Sequence, residues 1–183
     1  MKDILGLGPG WASNYRTWTD ALRVFRLSME ECGILVVANG IVENNTYRKL
    51  EPKEFRGFVL VDEYAPLIFI NNSDGKAAQM FTMAHELAHI FLGKSAAFDL
   101  REMQPADDPI EKACDRAAAE FLIPGKEILS IWPSINNKNE PFQIMAKHFK
   151  VSVLVAARRA LDLGLISKDE FIVFYNDYRQ DER

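Results

Sequence analysis

Residues 80–93 read Met80-Phe81-Thr82-Met83-Ala84-His85-Glu86-Leu87-Ala88-His89-Ile90-Phe91-Leu92-Gly93. On a 100°-per-residue wheel, Met80, Ala84, Leu87 and Phe91 fall on one side, with Met83 and Ile90 on its flank. The pattern predicts a helix buried over most of its circumference. Asn71-Asn72-Ser73-Asp74 supplies N-cap candidates, and Gly93 suits the C′ position. His85 and His89 lie together on the remaining face, one turn apart, within reach of a single metal ion. Glu86 completes an H-E-x-x-H motif, whose usual occupant is zinc, with the glutamate acting on the metal's water. The plainer alternative is two satisfied surface histidines. It fits poorly in an apolar element, where unpaired imidazoles and a carboxylate are costly to bury.

Upstream, apolar positions Trp18, Ala21, Leu22, Phe25, Leu27 and Met29 among charges predict an amphipathic helix within 11–32, stopped at Gly33. Ile34–Val37, Phe58–Asp62 and Leu67–Asn71 read as strands, the last two as an antiparallel hairpin. Three short strands before the long helix imply an α+β class, with a small three-stranded antiparallel sheet packed on the central motif helix. The strand Ile68–Asn71, leading into that helix, would offer an edge to an extended substrate backbone.

Downstream, residues 94–108 read as a surface loop. Asp108-Pro109 opens a helix that reaches about Ile123 and stops at Pro124-Gly125. A short helix over 126–132 follows, and Ser134–Asn139 is the best linker. Helices over 141–149 and 152–163 are joined by a tight turn at Lys150-Val151, and another covers 168–178. The expected organisation is a core over 1–133 and a mostly helical, helix-turn-helix-like part over 134–183.

Composition narrows the function classes. Apolar residues make up 48% and charged residues 26%, the balance of an ordinary globular protein. A net charge of −4 argues against a broad, non-specific grip on nucleic acid or anionic membrane. Cys32 and Cys114 form no CxxC pair, which excludes a cysteine-rich zinc site and fits a reducing compartment. Neither a signal peptide nor a spanning apolar run is recognisable, so the expected location is the cytoplasm.

A catalytic zinc normally takes three protein ligands. No third histidine follows the motif at the metzincin spacing, and His148 is the only other one. A carboxylate is the better candidate, and Glu111 leads. Glu111 and Asp115, one turn apart, share a helix face, so one can bind metal while the other receives the outer N–H of a ligating histidine. Glu111 is also at N3 after Asp108, where a capping box would claim it. Glu120, opposite Glu111, is weaker. Glu102, Asp107 and Asp108 lie where loop geometry is undefined.

Phe81–Ile90, followed by Ile110-Glu111-Lys112-Ala113-Cys114-Asp115-Arg116-Ala117-Ala118-Ala119-Glu120-Phe121-Leu122-Ile123-Pro124, resembles the ImmA/IrrE family of bacterial and phage metallopeptidases. That family pairs H-E-x-x-H with a downstream E-x-x-A/C-N/D-x-F-A-x-x-L-L-x-P segment. Ala117, where Phe is frequent, and Asp115, where Asn is commoner, are departures; the second brings the chain nearer the gluzincin E-x-x-x-D pattern. The resemblance implies His85, His89 and Glu111 as ligands of Zn2+, Glu86 as the catalytic base, and a protein substrate. Members of the family cleave a partner repressor of the xenobiotic-response helix-turn-helix class.

Two rival readings stand beside it. Pro141–Leu161 has the outline of a DNA-binding or antitoxin-like helix-turn-helix, with Lys147, Lys150, Arg158 and Arg159 available for phosphates. Generic helix pairing explains the same pattern, and His148 then reads as a partly buried polar residue. A metal-stabilised module without catalysis is the other rival; the intact Glu86 argues against it. Tyr64, Tyr175 and Tyr178 are candidate oxyanion partners without spacing to choose among them.

Overall fold

A computed structural model describes residues 1–43, 45–93, 96–99 and 108–181, of which 96–99 and 181 are described in backbone only. After a short 3-10 turn at Trp11–Asn14, helix α1 spans Trp18–Glu31. Thr17 caps it, its Oγ1 accepting from the Asp20 N–H at 3.1 Å. Gly33, at φ +83°, ends it in the left-handed region. Strands β1 (Leu35–Asn39), β2 (Ile41–Val42), β3 (Asn45–Lys49), β4 (Phe55–Leu60) and β5 (Leu67–Asn71) precede the motif helix α2 (Lys76–Leu92). Strand β6 (Ala96–Asp99) then leads towards helices α3 (Pro109–Leu122), α4 (Gly125–Ile135), α5 (Pro141–Phe149), α6 (Val153–Asp162) and α7 (Lys168–Asp181). The class is α+β, with α2 packed on a small sheet as expected.

The sheet itself differs in two respects. Its order is β1-β5-β4-β6, and β1 runs parallel to β5, Val36 facing Ile68 in register. The antiparallel hairpin is present as β4–β5, with Phe58 opposite Phe69. The chain reverses twice between β1 and β5, which returns it to the direction of β1. The fourth strand, β6, falls within the segment expected to be loop; Glu102 and Asp107 lie outside the described residues. With neighbours on both sides, β5 has no free edge, so the expectation that it pairs with substrate is overturned. The edges are β1 and β6.

One sheet face meets the core through Val36, Val59, Ile68 and Ile70. Gly57 of β4 sits where α2 crosses. A Cβ there would lie 2.7 Å from the Phe69 carbonyl and 2.8 Å from Thr82 Cγ2, so only glycine lets helix and sheet approach this closely. From α2, Met80, Met83, Ala84 and Leu87 are buried, whereas Phe91 is 43% exposed, in the last turn before Gly93. The helix start also departs from expectation: Gly75 is the N-cap, with no side-chain cap. Asn71 is instead buried, donating to the carbonyls of Phe55 (2.8 Å) and Leu50 (3.3 Å) and fastening β5 to the preceding loop.

On the other side of α2, Phe25 of α1 stacks on Phe121 of α3 at 5.0 Å, and Trp11 packs on both rings. Met145, Phe149 and Ala156 of α5 and α6 belong to the same buried cluster. The expected linker begins inside α4, whose last residue, Ile135, is buried. Among the described residues, no helix is long and apolar enough to cross a membrane.

Candidate metal centre

Two helices build the site. In α2, residues 85, 86 and 89 are all buried. The imidazole rings of His85 and His89 stand one turn apart, centroids 4.9 Å from each other. Helix α3 crosses them with its first two turns. Asp108 caps it, Oδ1 accepting from the Ile110 N–H at 2.8 Å, and Pro109 occupies N1. Glu111, at N3, turns its carboxylate on the histidines. Its Oε2 is 3.0 Å from His85 Nε2 and its Oε1 is 3.3 Å from His89 Nε2, while the two Nε2 atoms are 3.1 Å apart. One turn on, Asp115 Oδ1 accepts from His85 Nδ1 at 2.9 Å.

That last bond decides the chemistry of the first three. A carboxylate only accepts, so His85 carries a proton on Nδ1, and in the neutral ring Nε2 presents a lone pair. This lone pair faces a Glu111 oxygen and the Nε2 of His89. When each ring turns an Nε2 lone pair inwards, three acceptors converge in a buried space, an arrangement that a cation among them satisfies. Ligand atoms around a tetrahedral zinc, with bonds of about 2.0–2.1 Å, are about 3.3 Å apart. The observed separations of 3.0–3.3 Å match that spacing closely. His85, His89 and Glu111 are the one group of three metal-binding side chains found among the described residues. Two nitrogens and a carboxylate oxygen, all within a side chain's breadth, suit zinc.

The charges respond accordingly. Burial pushes His85 down, but its bond to Asp115 and the charges of Glu86, Asp115 and Glu111 outweigh burial, so it is raised. His89 moves down, first through burial and then through the charge of His85. Burial pushes Glu86 up to about 7, His85 opposing and Glu111 adding to it. Both Glu86 oxygens and His89 Nδ1 are buried without a hydrogen-bond partner among the described residues. Cys114, between the two α3 carboxylates, is pushed up to about 12 by burial and by the surrounding acids. Its sulfur does not belong to the group of side chains that could hold a metal.

The remaining candidates go elsewhere. Glu120 pairs with Arg159 and accepts from the Gly125 N–H at 3.2 Å, so it is no ligand. Arg159, a proposed phosphate contact, is buried, and its Nε also donates to the Ile123 carbonyl at 3.1 Å. Lys150 is buried as well, its Nζ donating to the Lys147 carbonyl. His148 pairs with Glu127 at 3.1 Å. Tyr64 is exposed in the β4–β5 turn, and Tyr175 and Tyr178 stack on Phe171 and Phe174 along α7. Sequence reading missed Asn71, Gly57 and β6; an unpaired glycine within an apolar strand was the available signal for the second.

A search of curated proteins finds no match to this chain. The profile of the IrrE N-terminal-like domain, Peptidase M78, does match, over residues 29–161, a span that holds β1 to β6, both site helices and most of α6. With well over half of its length matched, and with two histidines and a glutamate gathered as a metal would need them, this chain belongs to the IrrE N-terminal-like (Peptidase M78) family of metallopeptidases.

Proposed function

We propose that this chain is a zinc-dependent endopeptidase acting on a partner protein. His85, His89 and Glu111 hold the metal, Asp115 positions His85, and Glu86 is the general base. The observation that carries the reading is the convergence of His85 Nε2, His89 Nε2 and the Glu111 carboxylate at 3.0–3.3 Å beside Glu86, a buried carboxylate with no hydrogen-bond partner among the described residues. When bound, zinc supplies Lewis acidity, making water acidic near neutral pH and polarising the scissile carbonyl.

The chain's own residues do the rest. Glu86 takes a water proton on its carboxylate and hands it to the leaving amine nitrogen. Burial raises that carboxyl above the ordinary carboxylate range, which favours its taking up a proton. Asp115 keeps the His85 proton on Nδ1, so Nε2 remains a ligand throughout. The substrate backbone pairs with an edge strand of the sheet, and β6 joined to β4 is the edge that continues directly from α2.

The family resemblance supports a regulatory role, with cleavage of a separate helix-turn-helix repressor of the xenobiotic-response class. Residues 134–183 form the helical part that packs on a core of 1–133. The test is co-incubation with a purified helix-turn-helix repressor of the xenobiotic-response class. Wild type with zinc should cut it, chelator should stop cutting, and Glu86→Gln should lower the rate by about 10²–10⁴-fold while retaining zinc. Normal cleavage by Glu86→Gln would sink the mechanism.

A further inference from the structure

The three metal-binding side chains do not stand on equally firm ground. His85 and His89 lie well inside the 17-residue α2. Glu111 is only the third residue of α3, which begins at Pro109. The first turn of a helix has N–H groups without intrahelical acceptors, and it frays before the middle does. A ligand in that turn is placed only as well as the turn is held.

Asp108 and Pro109 hold it. A proline disfavours the α conformation in the residue before it. Asp108 accordingly lies outside the helix, at φ −65° and ψ 117°. The Pro109 ring pre-sets a helical φ and brings no N–H that needs an acceptor. Asp108 Oδ1 accepts from the Ile110 N–H at 2.8 Å, and the Asp108 carbonyl accepts from the Lys112 N–H at 3.1 Å. The two bonds bracket Glu111. In a capping box the N3 glutamate would reach back to the N-cap residue. Glu111 instead turns its carboxylate to the histidines, at 3.0 and 3.3 Å, so the side-chain cap of this turn rests on Asp108.

We infer that Asp108 is a positioning residue for the metal centre: its cap keeps the first turn of α3 wound and so holds the Glu111 carboxylate against His85 and His89. This rests on the reading of the site as a zinc centre. Only a chain with that turn wound offers three ligands at once. Apparent zinc affinity therefore scales with the wound fraction, and the cap sets that fraction.

The test is zinc affinity of the full chain, by competition with a chromophoric chelator, set beside hydrogen exchange of the metal-free chain. Asp108→Ala removes the cap, whereas Asp108→Asn and Asp108→Ser keep a side-chain acceptor. Asp108→Ala should weaken zinc by about fivefold or more. It should also speed exchange of the amides of residues 110–113 and leave those of α2 unchanged. Asp108→Asn and Asp108→Ser should stay within about twofold of wild type. Ser152→Ala removes the matching cap on α6, where Ser152 Oγ accepts from the Val155 N–H at 3.2 Å. Zinc affinity should ignore that change, which separates positioning from a general loss of stability; circular dichroism checks that each variant is folded. Wild-type zinc affinity in Asp108→Ala, or a loss in Asp108→Asn as large as in Asp108→Ala, would overturn the inference and leave the zinc reading standing. A wild-type chain without zinc affinity would overturn both.

Discussion

The α2–α3 pair and the α5–α6 pair are built from similar materials. Each joins two amphipathic helices through a buried apolar seam, and each carries histidine and charged residues that sequence reading assigned to function. In α5–α6 the buried and half-buried members of that set found structural partners. Arg159 reaches Glu120 and a carbonyl, His148 reaches Glu127, and Lys150 reaches the backbone. In α2–α3 His85, His89 and Glu111 turn on one another at 3.0–3.3 Å, and the buried Glu86 beside them has no hydrogen-bond partner among the described residues. Satisfied polar groups hold a fold together, whereas buried groups short of a partner are held ready for something that arrives.

This contrast can be broken by experiment. The largest effect should come from His89→Ala, which removes a ligand. Zinc affinity, measured by competition with a chromophoric chelator, should fall by more than about 100-fold, beyond what loss of an outer partner costs. Asp115→Asn should lower it by about 10–100-fold, because the His85 ring loses its anchor while keeping its metal nitrogen. If the two variants are equivalent, the distinction between ligand and positioning residue is wrong.

A third effect concerns the metal-free protein. Glu86 is raised from 4.5 to about 7, so the folded state binds its proton more tightly than the unfolded state does. Its contribution is therefore fully present below about 4.5 and is lost as pH rises through about 7, a change on the order of 3 kcal/mol. Urea unfolding of chelator-treated wild type should show that decline. Glu86→Gln should flatten it, and a decline of equal size in that variant would refute the assignment. Gly57→Ala should cost about 1–3 kcal/mol in the same assay, since the new methyl meets backbone that cannot yield. Arg159→Met should cost least, about 1–2 kcal/mol, because Glu120 is largely exposed and tolerates loss of its partner. Zinc affinity should survive that change, separating the two helix pairs.

Much of the site was legible because it is written in local periodicity. Four residues make one turn, so His85 with His89 and Glu111 with Asp115 each declared a shared face. That Glu111 meets the histidines rather than closing a capping box is a tertiary fact, signalled only by its company with Asp115. The sheet was less legible. Parallel pairing of β1 with β5 joins strands 32 positions apart in register, and β6 is short and alanine-rich. Arg159 shows the opposite error: a basic residue on a helix looks like a phosphate contact until its burial against Ile123 and Glu120 is seen.

The ring cluster of Trp11, Phe25 and Phe121 carries one more consequence. Two of its members precede residue 29, where the family match begins, and the third lies on the helix that bears Glu111. Trimming the chain to the matched span would strip α3 of its aromatic backing and let the third ligand drift. The border of kinship and the border of cooperative folding are two different lines in this chain, and the metal centre depends on the second.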